Sequence, residues 1–131
     1  MLYDVGMSAL ATTACTYSPL LDRQSIDEIR HIERKLGRND VLSGFVRMLE
    51  DTLAGFGATF SDCVARGDTA GAARAAHTLK GTCLQLGAQA LGDLFAEIER
   101  SAKAGDYAEA KRKFDGGAGL IAQSLEALKH A

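Results

Sequence analysis

Residues 75–88 read Ala75-Ala76-His77-Thr78-Leu79-Lys80-Gly81-Thr82-Cys83-Leu84-Gln85-Leu86-Gly87-Ala88. Ala75, Ala76, Leu79, Cys83 and Leu86 recur at the spacing of a helix with one apolar side, and Gly87 marks its end. Lys80 stands three residues after His77 and Gly81 four after it, so the three share one helix face. With Leu79 at the centre of the buried side, His77 and Gly81 each lie about 160° away, in opposite senses. The histidine is therefore expected to point at solvent from mid-helix, with Arg74, Lys80 and Leu84 on the same outer side. A nucleophilic imidazole, a fixed cation and a missing side chain then stand together on an open surface.

Four other helical segments surround this one. Ser25 is positioned to cap a short helix through Leu36 with Ile26, Ile29, Ile32 and Leu36 inward, and Gly37 ends it. Asn39 is positioned to cap the next. Along it Leu42, Phe45, Val46, Leu49, Leu53, Phe56, Phe60 and Val64 follow the helical period for six turns. Gly44, Gly55 and Gly57 inside that run imply bending or close packing, since each costs roughly 1 kcal/mol against alanine. Gly67-Asp68 stops that helix and caps the helix of His77, expected over 69–86. After Gly87 a fourth helix runs over 89–104 with Leu91, Leu94, Phe95, Ile98 and Ala102 inward. Gly105-Asp106 repeats the stop and cap. The last helix uses Tyr107, Ala110, Phe114, Ile121, Leu125 and Leu128, and Asp115-Gly116-Gly117-Ala118-Gly119 weakens its middle. The pattern predicts an all-α fold: an antiparallel up-down four-helix bundle with a short extra N-terminal helix. The bundle domain is expected over 19–131. Residues 1–18 form an extension, and their weak periodicity leaves open a flexible tail, a partner-facing segment or a short helix.

Bulk properties narrow the function. At 131 residues the chain is one domain and buries roughly two-thirds of its unfolded surface without staples. A net charge of −2 and a pI near 5.9 give no reason to expect nucleic acid or a membrane as partner. Cys15, Cys63 and Cys83 are odd in number and lack C-x-x-C spacing, so they read as reduced residues of a cytoplasmic protein, two of them in the core. No apolar run reaches the roughly 18 residues of a membrane span, and Asp4 without a basic cluster argues against a secretory signal.

The run His77-x-x-Lys80-Gly81 with Gly87-Ala88 behind it resembles the signature of the histidine phosphotransfer (HPt) domains of multistep two-component phosphorelays. A lone helical histidine is ordinarily a surface residue and nothing more. The matching neighbours on the matching helix of a bundle reverse that reading. The resemblance covers most of 25–130 as architecture, with the specific motif confined to 76–88. It implies that His77 is the phosphoacceptor, carrying a phosphoryl group between the receiver domains of a hybrid sensor kinase and a response regulator. Imidazole suits the task because a useful fraction is uncharged near neutral pH. Lys80 would balance phosphoryl charge. Gly81, locally unfavourable in a helix, would admit the partner's active site, and Arg74, Leu84 and Gln85 would help bind it. In several branches of the family a side chain from the next helix holds the free ring nitrogen. By chain distance the position here is Glu99, where many members have Gln. The family's metal and catalytic carboxylates belong to the receiver, so no cofactor and no metal site is expected here.

The chain has no nucleotide loop, no kinase motif set and no receiver aspartate pocket, so it is expected to be a phosphocarrier without kinase activity of its own. One alternative is the same bundle as an adaptor or phosphoacceptor module without relay activity. A metal-binding bundle enzyme would need inward Glu and Glu-x-x-His pairs; none is expected in this chain, and His77 faces out. The sequence names neither kinase, regulator, direction of phosphate flow, output nor oligomeric state.

Overall fold

A computed structural model describes residues 19–131, so the N-terminal extension and Cys15 lie outside the described residues. Six helices follow one another: α1 Arg23–Leu36, α2 Val41–Ala65, α3 Thr69–Gln85, α4 Gln89–Lys103, α5 Tyr107–Gly116 and α6 Ala118–Lys129. There is no strand among the described residues. Helices α2, α3 and α4 are three members of a four-helix bundle, and α5 with α6 supplies the fourth. The interruption falls at Gly117, within the glycine-rich stretch that weakens the sequence pattern. There the Leu94 side chain occupies the space a Cβ would need. Helix α1 is the extra element and packs on α2.

Sequence-coded stops set the helix lengths. Gly37, Gly67, Gly87 and Gly105 all adopt positive φ, the left-handed conformation that ends helices and that glycine enters without penalty. Asp68 and Asp106 accept hydrogen bonds from Gly71 N and Glu109 N and so cap α3 and α5.

Two cap assignments change. Asp22, not Ser25, caps α1, accepting from Gln24 N at 3.1 Å, which starts the helix three residues earlier. Asp40, not Asn39, precedes α2, and its carboxylate caps nothing because Arg38 holds both its oxygens. The first amides of α2 are satisfied from across the turn. Glu33 Oε2 accepts Val41 N at 3.1 Å and Leu42 N at 3.0 Å, while Arg30 Nη1 meets Oε1 at 2.8 Å. Arg30 also bonds the carbonyl of Ala131, tying α1 to the chain's end.

The core is lined by Leu49, Leu79, Leu91, Phe95 and Ile98. Phe56 stands edge-on to Phe95 at 5.3 Å and 4.8 Å from Phe114, a geometry favoured by the ring quadrupoles. Cys63 and Cys83 are buried free thiols, and burial pushes the Cys83 thiol up to about 12. Three apolar residues expected inward are exposed: Ile32, Leu36 and Phe45. Helix α1 buries only the narrow side of Ile26, Ile29 and Glu33, so among the described residues Ile32 and Leu36 have no second helix to cover them. In α2, Gly44 and Gly55 face open space, and a Cβ added at Gly57 would make only ordinary contact with the Phe114 ring, at 3.7 Å.

Candidate functional site

Helix α3 lies between α2 and α4, which leaves one long side uncovered by any other described residue. Ala72, Ala76, Leu79 and Cys83 face inward and are fully buried. The opposite side carries Arg74, His77, Gly81, Leu84 and Gln85, all exposed, as the helical phase requires. The His77 side chain is 62% exposed. A Cβ added at Gly81 would meet nothing within 4 Å, so no neighbouring helix of this bundle needs a glycine there. Leu84 is exposed only in part, because its end rests in the gap left by Gly92 of α4.

Gly87 and Ala88 position this helix against its neighbours. Gly87 takes φ +80, and a side chain there would strike the Asp22 carbonyl at 2.7 Å. The start of α1 sits on this turn, with Asp22 N donating to Gly87 O at 2.6 Å and Ala90 N to Pro19 O at 3.1 Å. Ala88, fully buried, begins α4. The Gly-Ala pair therefore fixes the register in which α4 returns alongside α3.

That register brings Glu99 beneath His77. The imidazole Nδ1 is 3.1 Å from Glu99 Oε2 and 3.3 Å from Oε1. Lys80 Nζ lies 3.2 Å from Oε1 and Lys103 Nζ 3.0 Å from Oε2. One carboxylate, 9% exposed, thus faces an imidazole and two ammonium groups. Burial by itself would raise the Glu99 carboxyl. Hydrogen bonds from Lys103, Lys80 and His77 outweigh it and bring the carboxyl down to about 2. Glu99 is therefore an anion under all but strongly acidic conditions. As an acceptor it pairs with a protonated Nδ1, which leaves the Nε2 lone pair free.

Arg74 and Lys103 flank a shallow groove beside the ring, floored by Ala70 and Ala73. On the other side, Thr82, Gln85 and Leu86 border an apolar groove with Ile29, Ile32, Phe45 and Met48. Of the residues singled out from sequence, His77, Lys80 and Glu99 converge in one cluster, Arg74 borders it, and Gly81, Leu84 and Gln85 extend the same exposed side. Lys103 belongs to the cluster and was not anticipated. The Glu99-x-x-x-Lys103 spacing was its available signal. Among the described residues no group of three or more His, Cys, Asp or Glu could hold a metal, and the single Glu28-x-x-His31 spacing lies exposed on α1. Among the same residues no helix is long and apolar enough to cross a membrane.

The bundle thus presents His77 on an open face, with its ring held from the next helix. Residues 40–131 match the Hpt domain family, which takes in the whole bundle and leaves out α1. The chain belongs to the Hpt domain family, the histidine phosphotransfer modules of two-component phosphorelays. No curated protein and no solved structure matches it.

Proposed function

We propose that this protein is a cytoplasmic phosphocarrier in which His77 takes a phosphoryl group from the receiver domain of a hybrid sensor kinase and passes it to that of a response regulator. The observation that carries the reading is the His77–Glu99 pair, with Nδ1 held at 3.1 Å and the ring on an open face. In the accepting step the Nε2 lone pair attacks phosphorus of the receiver's aspartyl phosphate. The N–P bond forms, the bond from phosphorus to the carboxylate oxygen breaks, and its electron pair leaves with the aspartate. The ring acquires positive charge as its lone pair is committed, and ionised Glu99 faces that charge. Delivery to the second receiver is the reverse step.

Lys80, half-buried and now on Glu99, is a cation placed one turn from His77 for the incoming phosphoryl oxygens. Gly81 leaves room for the partner's active site. Arg74, Leu84 and Gln85 form the docking face, which continues into the apolar groove of Ile32, Phe45 and Met48. The protein has no kinase activity of its own in this reading.

The test is transfer of labelled phosphate from a panel of phosphorylated receiver domains. The label should move onto this protein, be lost in acid and persist in base, as a phosphoramidate does. Binding of receivers with no transfer from any of them would leave an adaptor module and overturn the carrier reading.

A further inference from the structure

Neutral imidazole exists as two tautomers, and only the one protonated at Nδ1 has a lone pair on Nε2. What holds the carboxylate that selects this tautomer therefore matters. Glu99 has four potential acceptor directions, and its terminal torsion is soft and roughly two-fold. Lys80, from α3, meets Oε1 at 3.2 Å. Oε2, the oxygen nearer Nδ1, is met at 3.0 Å by Lys103 from α4. The two ammonium groups thus grip one oxygen each, from two different helices.

We propose that Lys103 is a positioning residue for His77: by fixing Glu99 Oε2 it holds the imidazole in the Nδ1–H form, with Nε2 presented outward. The inference rests on the reading of His77 as phosphoacceptor. An ordinary i,i+4 surface pair joins two solvated side chains and contributes little. Here the Lys103 side chain is 67% exposed, but the carboxylate it meets is 9% exposed and shared with the imidazole. The lysine is cheap to remove, and the geometry it maintains is that of the reacting ring. Its position also leaves Glu99 with a cation when Lys80 turns toward a phosphoryl group.

The experiment compares wild type, Lys103→Ala and Lys103→Arg by ¹⁵N NMR of the His77 ring at a pH where the ring is uncharged, by rate of acceptance from a phosphorylated receiver, and by thermal unfolding. Lys103→Ala should shift the ring toward the Nε2–H form and slow acceptance by about fivefold, of the order a well-placed ion pair supplies. Its Tm should match wild type, and Lys103→Arg should restore tautomer and rate. Wild-type tautomer and rate in Lys103→Ala would overturn the proposal. So would a slower rate with an unchanged tautomer, which would place Lys103 on the docking surface only. If no receiver phosphorylates the wild type but Lys103→Ala still shifts the tautomer, the positioning role stands and the phosphoacceptor reading falls.

Discussion

Glu33 and Glu99 are both buried carboxylates on helices of this bundle, and both are held below the usual carboxylate range. They differ in what holds them. Glu33 is held by the Arg30 guanidinium and by two backbone amides at the start of α2. Amides cannot turn away, so that carboxylate is committed to joining α1 to α2. Glu99 faces three side chains, His77, Lys80 and Lys103, and among the described residues no backbone group. Side chains can exchange partners, which keeps Glu99 available to respond to charge arriving on the imidazole. The same residue type thus serves the fold at one position and chemistry at the other, and the donors decide which.

The contrast is sharpest if each carboxylate is removed. Glu99→Ala should slow acceptance of phosphate at His77 by about 10- to 100-fold, by analogy with the loss of a group that orients a metal-bound histidine, with Tm lowered by a few degrees at most. Transfer kinetics and thermal unfolding on one sample measure both. A collapse of Tm would make Glu99 a folding residue like Glu33.

Gly81→Gln tests the open face above Glu99. Nothing lies within 4 Å of the missing Cβ, and replacing a mid-helix glycine gains up to about 1 kcal/mol. Tm should equal or exceed wild type, while receiver-to-protein transfer falls by at least about tenfold because a long side chain stands where the donor must approach. Normal transfer would mean that the partner does not dock over this turn.

Glu33→Gln should do the opposite of Glu99→Ala. Loss of the charged cap should lower Tm by roughly 5 °C, with transfer unchanged wherever the protein remains folded. Unchanged Tm would show that Arg38–Asp40 or solvent can satisfy the α2 amides as well.

Acid should loosen the Glu99 cluster more gently than mutation does. The Glu99 carboxyl falls from 4.5 to about 2 on folding, so the unfolded chain binds its proton first. Its stabilisation is complete above about pH 4.5 and is lost as pH falls toward 2. Denaturant unfolding between those limits should show stability rising with pH in wild type, and rising less steeply in Glu99→Ala. Identical slopes would remove Glu99 from the acid response.

The elements and the phase of α3 were legible in the sequence because both are local. Gly37, Gly67, Gly87 and Gly105 end helices where they stand, and the spacing of Leu79 and Cys83 from His77 fixes which side faces out. The cap of α2 was not legible, because its acceptor, Glu33, lies across a turn and replaces an Asp40 already taken by Arg38. The exposure of Ile32 and Leu36 was missed for a related reason, since periodicity marks an apolar side without saying whether a helix exists to cover it. At the site, the motif led to His77 and Lys80, and chain distance led to Glu99. Lys103 escaped because its importance depends on Glu99 being buried, a property of the α3–α4 packing and not of either helix alone.

The most direct measurement places wild type and His77→Gln side by side with one competent phosphorylated receiver and follows the label. Wild type should acquire an acid-labile, base-stable label, and His77→Gln, folded and equally stable, should acquire none above background, with His31 and His130 unable to substitute. Label on His77→Gln at the wild-type level would contradict this.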